Sequence, residues 1–268
     1  MRTVIVAAIG VWLLAGAAAL AADLPDRARL QAALATPAQT VEVVEPHMST
    51  PDRETKVHYV GWPAPVVLDH MFGPSWRAQG LDVEFRALDG YVSHIPSERF
   101  EAYRAYLVYA RQDGRAFTVD NPAQNEKDVP LGPYYLVWDN VRSPDLRPLG
   151  ASYWPYQVYE ITLSDAGLAA LLPGRMADDY AEDAASTRTY CLSCHKINGY
   201  GGDKWPVDLA RQAKTMTAAA FEAWVLTPDA VKPGTTMPPL AEALPEHDRK
   251  ELAQRIFTYL NALPNRPR

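Results

Sequence analysis

The chain has 268 residues, of which 48% are hydrophobic and 22% are charged, a composition typical of globular proteins. Its formal net charge of −6 at pH 7 excludes a general nucleic-acid-binding protein, because binding to phosphates requires a basic surface. The length is sufficient for one large domain or for two of ordinary size.

The first residues have the composition of a secretory signal peptide. Arg2 is the only charged residue before an apolar run from Val4 to Leu20, and residues 19–21 (ALA) have the small-x-small pattern of a cleavage site. We therefore predict a signal peptide over residues 1–22 and a periplasmic protein. The alternative is an uncleaved membrane anchor, since the apolar run is nearly long enough to span a bilayer. Only in that case do we expect contact with a membrane.

Residues 23–40 are polar and rich in alanine, and we expect a short helix or a loose leader there. Over 41–165, short segments rich in aromatic and β-branched residues alternate with Gly and Pro, which predicts strands separated by turns. The predicted strands cover 41–44, 56–60, 81–85, 105–109, 134–138 and 156–163. The last of them alternates with period two, as in a half-buried strand. Short helices are predicted over 66–71 and around 97–100.

From residue 164 onward the pattern changes to that of helices, predicted over 165–172, 178–190, 218–226 and 245–263. The charge divides at the same place. From Arg175 onward, twelve Lys and Arg residues face twelve Asp and Glu residues, so the first 174 residues hold the whole net charge. We therefore predict a second, all-α domain over 175–265, with the boundary near 165–175.

The only two cysteines, Cys191 and Cys194, are separated by two residues, and His195 follows directly. This C-x-x-C-H pattern predicts covalent attachment of one c-type haem. In a helical turn, two thiols at this spacing can reach two vinyl groups on one side of the macrocycle, and the imidazole supplies an axial ligand to the iron. A zinc site and a thioredoxin-like redox pair are the alternatives. A zinc site would need a second pair of ligands, and His247 is the only other histidine nearby. A thioredoxin-like redox pair would need a βαβ context, which this region does not have.

The region from about 178 to 263 resembles class I cytochromes c, because residues 234–238 (GTTMP) match the G-T-x-M-P loop of that family. The resemblance implies that Met237 is the second axial ligand, with core filling as the alternative. A thioether ligand stabilises ferrous iron and raises the reduction potential. The family's first and last helices cross, which implies a contact of the helix before the cysteines with Ile256 and Tyr259.

Residues 205–209 (WPVDL) are similar to the G-P-x-L segment of the same family, with Trp in place of Gly and one residue inserted. The resemblance implies that the carbonyl group of Pro206 orients the proximal histidine. It leaves two roles open for Trp205, which either donates a hydrogen bond to a haem propionate or packs against the haem edge.

Five segments between residues 41 and 163 follow the order found in the molybdopterin-binding domain of the sulfite oxidase family. They are 57–63, 87–91, 106–114, 130–138 and 154–158. The resemblance implies an α+β domain with a mixed sheet. That family binds molybdenum through a cysteine, but here the haem motif takes both cysteines, and basic residues for a pterin phosphate are sparse. We therefore expect a cofactor-free domain, used for docking or structure.

His58, His70 and His94 also lie in this region, beside Asp69 and Asp89. Such side chains could hold copper or zinc. Because they lack paired spacing, we expect surface or hydrogen-bonded histidines instead.

Together these features predict a periplasmic cytochrome with one haem, which transfers single electrons between a redox protein partner and an acceptor. The alternatives are an enzyme with its own substrate, such as a peroxidase, and a gas or redox sensor. The sixth ligand discriminates between them, because an iron bound by Met237 has no open site for substrate or gas.

Overall fold

The computed structural model describes residues 20–50, 52–164, 167–205 and 207–264. The strands are β1 (Leu20–Asp23), β2 (Gln39–Val44), β3 (Lys56–Pro63), β4 (Asp82–Ala87), β5 (Val92–Pro96), β6 (Ala105–Arg111), β7 (Thr118–Asn121), β8 (Glu126–Pro130), β9 (Tyr135–Trp138), β10 (Val158–Ser164), β11 (Lys196–Ile197) and β12 (Tyr200–Gly201). The helices are α1 (Arg27–Ala33), α2 (Ala64–Phe72), α3 (Arg99–Ala102), α4 (Gly167–Leu171), α5 (Ala177–Tyr190), α6 (Leu209–Ala213), α7 (Ala218–Leu226), α8 (Pro228–Val231) and α9 (Glu246–Ala262).

The six predicted strands correspond to β2, β3, β4, β6, β9 and β10, and the predicted helices correspond to α2, α3, α4, α5, α7 and α9. Most of the predicted signal peptide, residues 1–19, lies outside the described residues. Among the helices that are described, none combines the length and the apolar character needed to cross a bilayer.

Two four-stranded sheets form the N-terminal part of the chain. Their strand orders are β1-β10-β4-β5 and β2-β3-β6-β9, and β7 pairs with β8 in a separate hairpin. All of these pairings are antiparallel, so the prediction of a mixed sheet is wrong. The connection between β4 and β5, residues 88–91, illustrates the reason, because parallel neighbours require a crossover of a dozen or more residues.

The segment 23–40, expected to be a short helix or a loose leader, contains helix α1 and is part of the fold. Asp26 caps α1 by accepting a hydrogen bond from the amide of Arg29, and Leu30 of this helix is completely buried. The hydroxyl of Tyr134 donates a 2.7 Å hydrogen bond to the carbonyl of Pro25. Two apolar clusters form the cores of the protein, and Leu30 belongs to the larger one, which consists of side chains from both sheets.

Strand β10 does not show the predicted half-buried alternation, because Ile161, Thr162 and Leu163 are all buried. Thr162 pairs with Glu84 of β4, and Glu84 pairs with His94 of β5, so these polar side chains share one face of the sheet. Tyr200 and Arg188 of the C-terminal part contact that face, so the end of β10 is buried, whereas Tyr159 near its start is 37% exposed.

A second apolar cluster consists of residues between Leu171 and Leu263. Helix α9 contributes residues at helical spacing, among them Ile256 and Tyr259, which are at most 1% exposed. The ring of Tyr259 lies 6.0 Å from that of Tyr180 on α5. The expected packing of the helix before the cysteines against the last helix is thus confirmed.

The prediction of an all-α cytochrome c domain is wrong, because this region also contains the antiparallel pair β11–β12, and the described residues together form a mixed α/β structure with four sheets. Asn198 and Gly199 connect the two short strands with φ angles of 51° and 88°. Asn-Gly is the preferred sequence for such a left-handed two-residue turn. The Asn-Gly turn therefore forms a hairpin here, although helices precede and follow it in the chain.

Candidate functional site

Helix α5 leads directly into the cysteine motif. The amide of Cys191 donates a 2.9 Å hydrogen bond to the carbonyl of Thr187, which extends the helical pattern by one residue. The carbonyl of Cys191 then accepts hydrogen bonds from the amides of Cys194, at 3.3 Å, and His195, at 3.0 Å. Both cysteines and the histidine therefore lie on a single tight turn.

The two cysteines are not joined by a disulfide. Burial raises the pKa of the Cys191 thiol to about 12, and the neighbouring Cys194 contributes. Burial likewise raises the pKa of Cys194 to about 12, although the ammonium group of Lys204 opposes the shift. Reactive redox thiols have depressed pKa values instead. The surroundings of this pair are therefore unlike those of a thioredoxin-type centre.

The imidazole of His195 is set into the protein. Burial lowers its pKa, and a backbone interaction with Trp205 opposes part of the shift. Its buried Nδ1 atom makes no hydrogen bond of normal geometry with any residue that the structure describes. The carbonyl of Pro206, expected to orient this ring, lies outside the described residues. The amide of Trp205 donates a 3.0 Å hydrogen bond to the carbonyl of Cys194, while 46% of the Trp205 residue is exposed.

Two glycines allow the chain after β11 to pass directly over the cysteine turn. A Cβ atom on Gly202 would lie 2.0 Å from the carbonyl oxygen of Ser193, and one on Gly201 would lie 2.2 Å from that of His195. The amide of Gly202 also donates a 2.8 Å hydrogen bond to the carbonyl of Leu192. Any larger residue at either position would displace the turn that carries the two thiols.

The N-terminal sheet also contacts this turn. The amide of Val92, at the start of β5, donates a 2.8 Å hydrogen bond to the carbonyl of Ser193, between the two cysteines. The amide of Asp203 donates a bond of the same length to the carbonyl of Gly90. The turn between β4 and β5 therefore holds the cysteine segment and the chain that covers it. Asp89-Gly90 predicts a turn, but nothing in the local sequence indicates its partner.

An ion pair reinforces the same contact. The Lys204 ammonium lies 2.9 Å from the Asp89 carboxylate, and both side chains are less than one-third exposed. Burial lowers the pKa of Lys204, but the nearby Tyr156 and Asp89 outweigh it, so that its pKa is raised overall. The fixed positive charge beside Cys194 is therefore balanced by a carboxylate.

Met237 lies in a loop with its own hydrogen bonds. Its amide donates a 3.3 Å bond to Oγ1 of Thr235, and the amide of Gly234 donates a 2.9 Å bond to Oδ1 of Asp229. Met237 is partly buried against the second apolar cluster, which also contains Leu192 of the cysteine motif. The structure thus brings the predicted methionine ligand and the cysteine motif to one cluster.

A buried polar group connects the first sheet to the chain after the cysteine motif. Nδ1 of His94 lies 3.2 Å from Oε1 of Glu84 and 2.9 Å from the hydroxyl of Tyr200, and the two rings are 4.6 Å apart. Burial raises the pKa of Glu84, but His94 and Arg86 outweigh it and lower the pKa overall. Sequence analysis missed this group, because Tyr200 is 106 residues from His94 along the chain.

Beside it, Arg188 of α5 forms a 2.7 Å ion pair with Asp82 of β4. Burial raises the pKa of Asp82 in spite of this cation. A second charge pair therefore crosses from the sheet to the helix that precedes Cys191.

The histidines considered for a metal site are not gathered together. His94 is buried with Glu84, whereas His58 is half-exposed beside Glu42, and His70 lies in the last turn of α2. Within the described ranges, no three His, Cys, Asp or Glu side chains are grouped so as to hold a metal ion.

A further group of buried polar side chains, which sequence analysis also missed, surrounds Glu45. This completely buried carboxylate accepts hydrogen bonds from the hydroxyls of Tyr59, at 2.8 Å, and Tyr135, at 2.9 Å, and lies 2.8 Å from Nδ1 of His47. Burial raises the pKa of Glu45, but His47 and the two tyrosines outweigh it, so the pKa falls below its ordinary value. Tyr59 lies on β3 and Tyr135 on β9, so the hydrogen bonds to Glu45 connect strands of the second sheet and stabilise it.

A scan against models of known protein families finds no match to this chain, and no curated protein is significantly similar to it. Any functional assignment therefore depends on the residues of the site.

Proposed function

We propose that this protein carries one covalently attached haem c and transfers single electrons in the periplasm. The observation that carries the proposal is the turn in which the carbonyl of Cys191 accepts hydrogen bonds from the amides of Cys194 and His195. It presents two unpaired thiols and an imidazole within a single turn. Thioether attachment to two vinyl groups and axial ligation require this combination.

The surrounding residues fit such a group. Nδ1 of His195 makes no hydrogen bond of normal geometry with a described residue, and no described side chain is hydrogen-bonded to it. Met237 packs on the same apolar cluster as Leu192, which supports it as the second ligand and would keep water away from the iron. When bound there, haem c supplies a one-electron iron couple, whose ferrous form a thioether ligand favours. Cys191 and Cys194 would anchor the macrocycle.

The surface next to the motif supports a protein as the electron partner. Leu88 and Trp205 are exposed by 63% and 46%, and they flank the ion pair between Asp89 and Lys204 in the sequence. Exposed apolar side chains close to a redox centre suit a short-lived protein contact. The acidic N-terminal part would guide a basic partner towards it, with an encounter rate that falls as salt screens the charges.

The haem assignment is tested by expressing the chain in cells that mature c-type cytochromes. The purified protein should keep its red colour after extraction with acidic acetone and contain about one iron per chain. The double variant Cys191→Ala/Cys194→Ala should lose this colour. The control Ser193→Ala changes one of the two residues between the cysteines and should retain the colour. A colourless wild-type protein would refute the assignment.

Electron transfer is separated from catalysis by the sixth ligand. The ferric protein should show the weak methionine-to-iron charge-transfer band near the red end of its spectrum and should bind carbon monoxide poorly when reduced. A high-spin iron that binds carbon monoxide at once would favour an enzyme or a gas sensor instead.

A further inference from the structure

The hairpin β7–β8 of the N-terminal part reaches the loop that carries Met237. At its tip, the amide nitrogen Nδ2 of Asn125 donates a 2.8 Å hydrogen bond to the carbonyl of Thr235 and a 3.0 Å hydrogen bond to Oδ1 of Asp229. Asn125 has a φ of 55°, a left-handed conformation that asparagine tolerates better than most residues. The tip is therefore shaped to present this amide to the loop.

The bonds of Asn125 continue into the loop itself. Oδ1 of Asp229, which accepts from Asn125, also accepts from the amide of Gly234 at 2.9 Å. Oγ1 of Thr235 accepts from the amide of Met237 at 3.3 Å. A side chain of the N-terminal part is thus joined, through Thr235, to the backbone of the predicted iron ligand.

The same N-terminal part holds the cysteine segment through Val92 and Ser193, and the chain that covers it through Gly90 and Asp203. The two segments that would hold the iron are therefore both tied to the N-terminal part, one by the turn before β5 and the other by the hairpin β7–β8. Within the C-terminal part, the loop before Met237 follows the short helix α8 and is held by bonds from Gly234 to Asp229, from Thr235 to Lys232 and from Met237 to Thr235.

We propose that the N-terminal part braces the haem pocket, and that Asn125 is the positioning residue that restricts the Met237 loop. This inference rests on the proposed function, because the loop matters as the carrier of an iron ligand. Without the Asn125 amide the loop would open more often, and Met237 would leave the iron more often. Water can replace both bonds of the exposed Asn125 amide, so we expect its net contribution to be about 1 to 1.4 kcal/mol, and its loss should increase loop opening roughly five- to tenfold.

Two variants of Asn125 and one control test the brace in the full-length protein. Asn125→Gly removes the amide and retains the left-handed backbone, and Asn125→Asp places a carboxylate against the oxygens of Asp229 and Thr235. The control is Asp128→Gly, at a second left-handed position of the same hairpin (φ of 51°). The side chain of Asp128 makes no hydrogen bond or ion pair with a described residue.

Two measurements are made on each variant. The first is hydrogen exchange of the peptide covering 232–237, which reports on the loop whether or not iron is bound. The second is the rate at which cyanide binds the ferric protein, since cyanide must wait for Met237 to leave. Both rates should rise about five- to tenfold in the two Asn125 variants and stay unchanged in Asp128→Gly.

Unchanged exchange over 232–237 in both Asn125 variants would overturn the brace. Faster exchange with an unchanged cyanide rate would overturn the positioning role for Met237. If the wild-type protein carried no haem, the exchange data would still decide whether Asn125 restrains the loop, so a failure of the proposed function is recognised separately.

Discussion

The carbonyl oxygen of Gly90 accepts a 2.8 Å hydrogen bond from the amide of Asp203, which joins a turn of the N-terminal sheet to the segment that follows His195. Gly90 has a φ of 87°, and a Cβ atom there would lie 2.9 Å from both the carbonyl carbon of Asp203 and the amide nitrogen of Lys204. The backbones are therefore too close for any side chain at this position.

Gly90→Ala should destabilise the protein by separating these backbones. Gly114→Ala is the matched control, because Gly114 is also left-handed, with a φ of 71°, but a Cβ atom there would meet no other atom within 4 Å. Both variants bear the left-handed cost of about 1 kcal/mol. We expect Gly90→Ala to lose roughly 1–3 kcal/mol more in urea unfolding, as for an overpacked core position. Equal losses in the two variants would show that the contact is dispensable.

Tyr200→Phe should weaken the buried group between the sheet and the cysteine segment. The Tyr200 hydroxyl lies 2.9 Å from Nδ1 of His94 and 3.3 Å from Oδ2 of Asp82, so its removal leaves both groups short of a partner. The expected cost in the free energy of unfolding is about 1–3 kcal/mol. In Tyr180→Phe, the hydroxyl that is lost has no hydrogen bond to a described residue, and we expect little change. A stability of Tyr200→Phe equal to that control would contradict the prediction.

The protein should lose stability in acid through Glu45. Its pKa in the folded state is below the ordinary value of 4.5, because His47, Tyr59 and Tyr135 outweigh the effect of burial. The carboxylate therefore stabilises the fold fully above about pH 4.5 and less as the pH falls through the folded-state pKa.

Glu45→Gln removes this titration. We expect it to cost roughly 1–3 kcal/mol at pH 7, with a difference from the wild type that shrinks below pH 4.5. Urea unfolding at several pH values between about 3 and 7 measures this difference in the free energy of unfolding, because that range includes the ordinary pKa of a carboxyl group. Glu42→Gln, at a partly exposed carboxylate on β2, is the control and should change the free energy of unfolding at neutral pH less than Glu45→Gln does. A constant difference for Glu45→Gln at every pH would contradict the assignment.

In the proposed haem protein, Met237→Ala should change the iron from low spin to a form that binds cyanide and carbon monoxide readily. Its reduction potential should fall, since the thioether stabilises ferrous iron. Met216→Ala is the control, because Met216 is also partly buried against the second apolar cluster. Absorption spectra and a redox titration distinguish the variants. If both retained the wild-type spectrum and potential, another residue would have to be the ligand.

Local features of the chain were predictable because their signals lie within a few residues. The positions of α7 and α9 follow from helical spacing, and six strands follow from short aromatic and β-branched runs. The tight turn at Cys191–His195 is likewise local. The Asn198-Gly199 hairpin was equally readable, since Asn-Gly is a strong turn signal, but the surrounding helices led to the wrong prediction of an all-α region.

The sequence by itself determined the cysteine motif, the candidate methionine loop and most of the secondary structure. Only the tertiary structure decided what these segments touch. The bond between Asn125 and Thr235 joins residues 110 positions apart, and that between His94 and Tyr200 joins residues 106 apart. Such contacts depend on how sheets and helices bury their faces against one another, and this is the sum of many small apolar and polar contributions. No local spacing records that sum, so the brace between the two parts appears only in the folded chain.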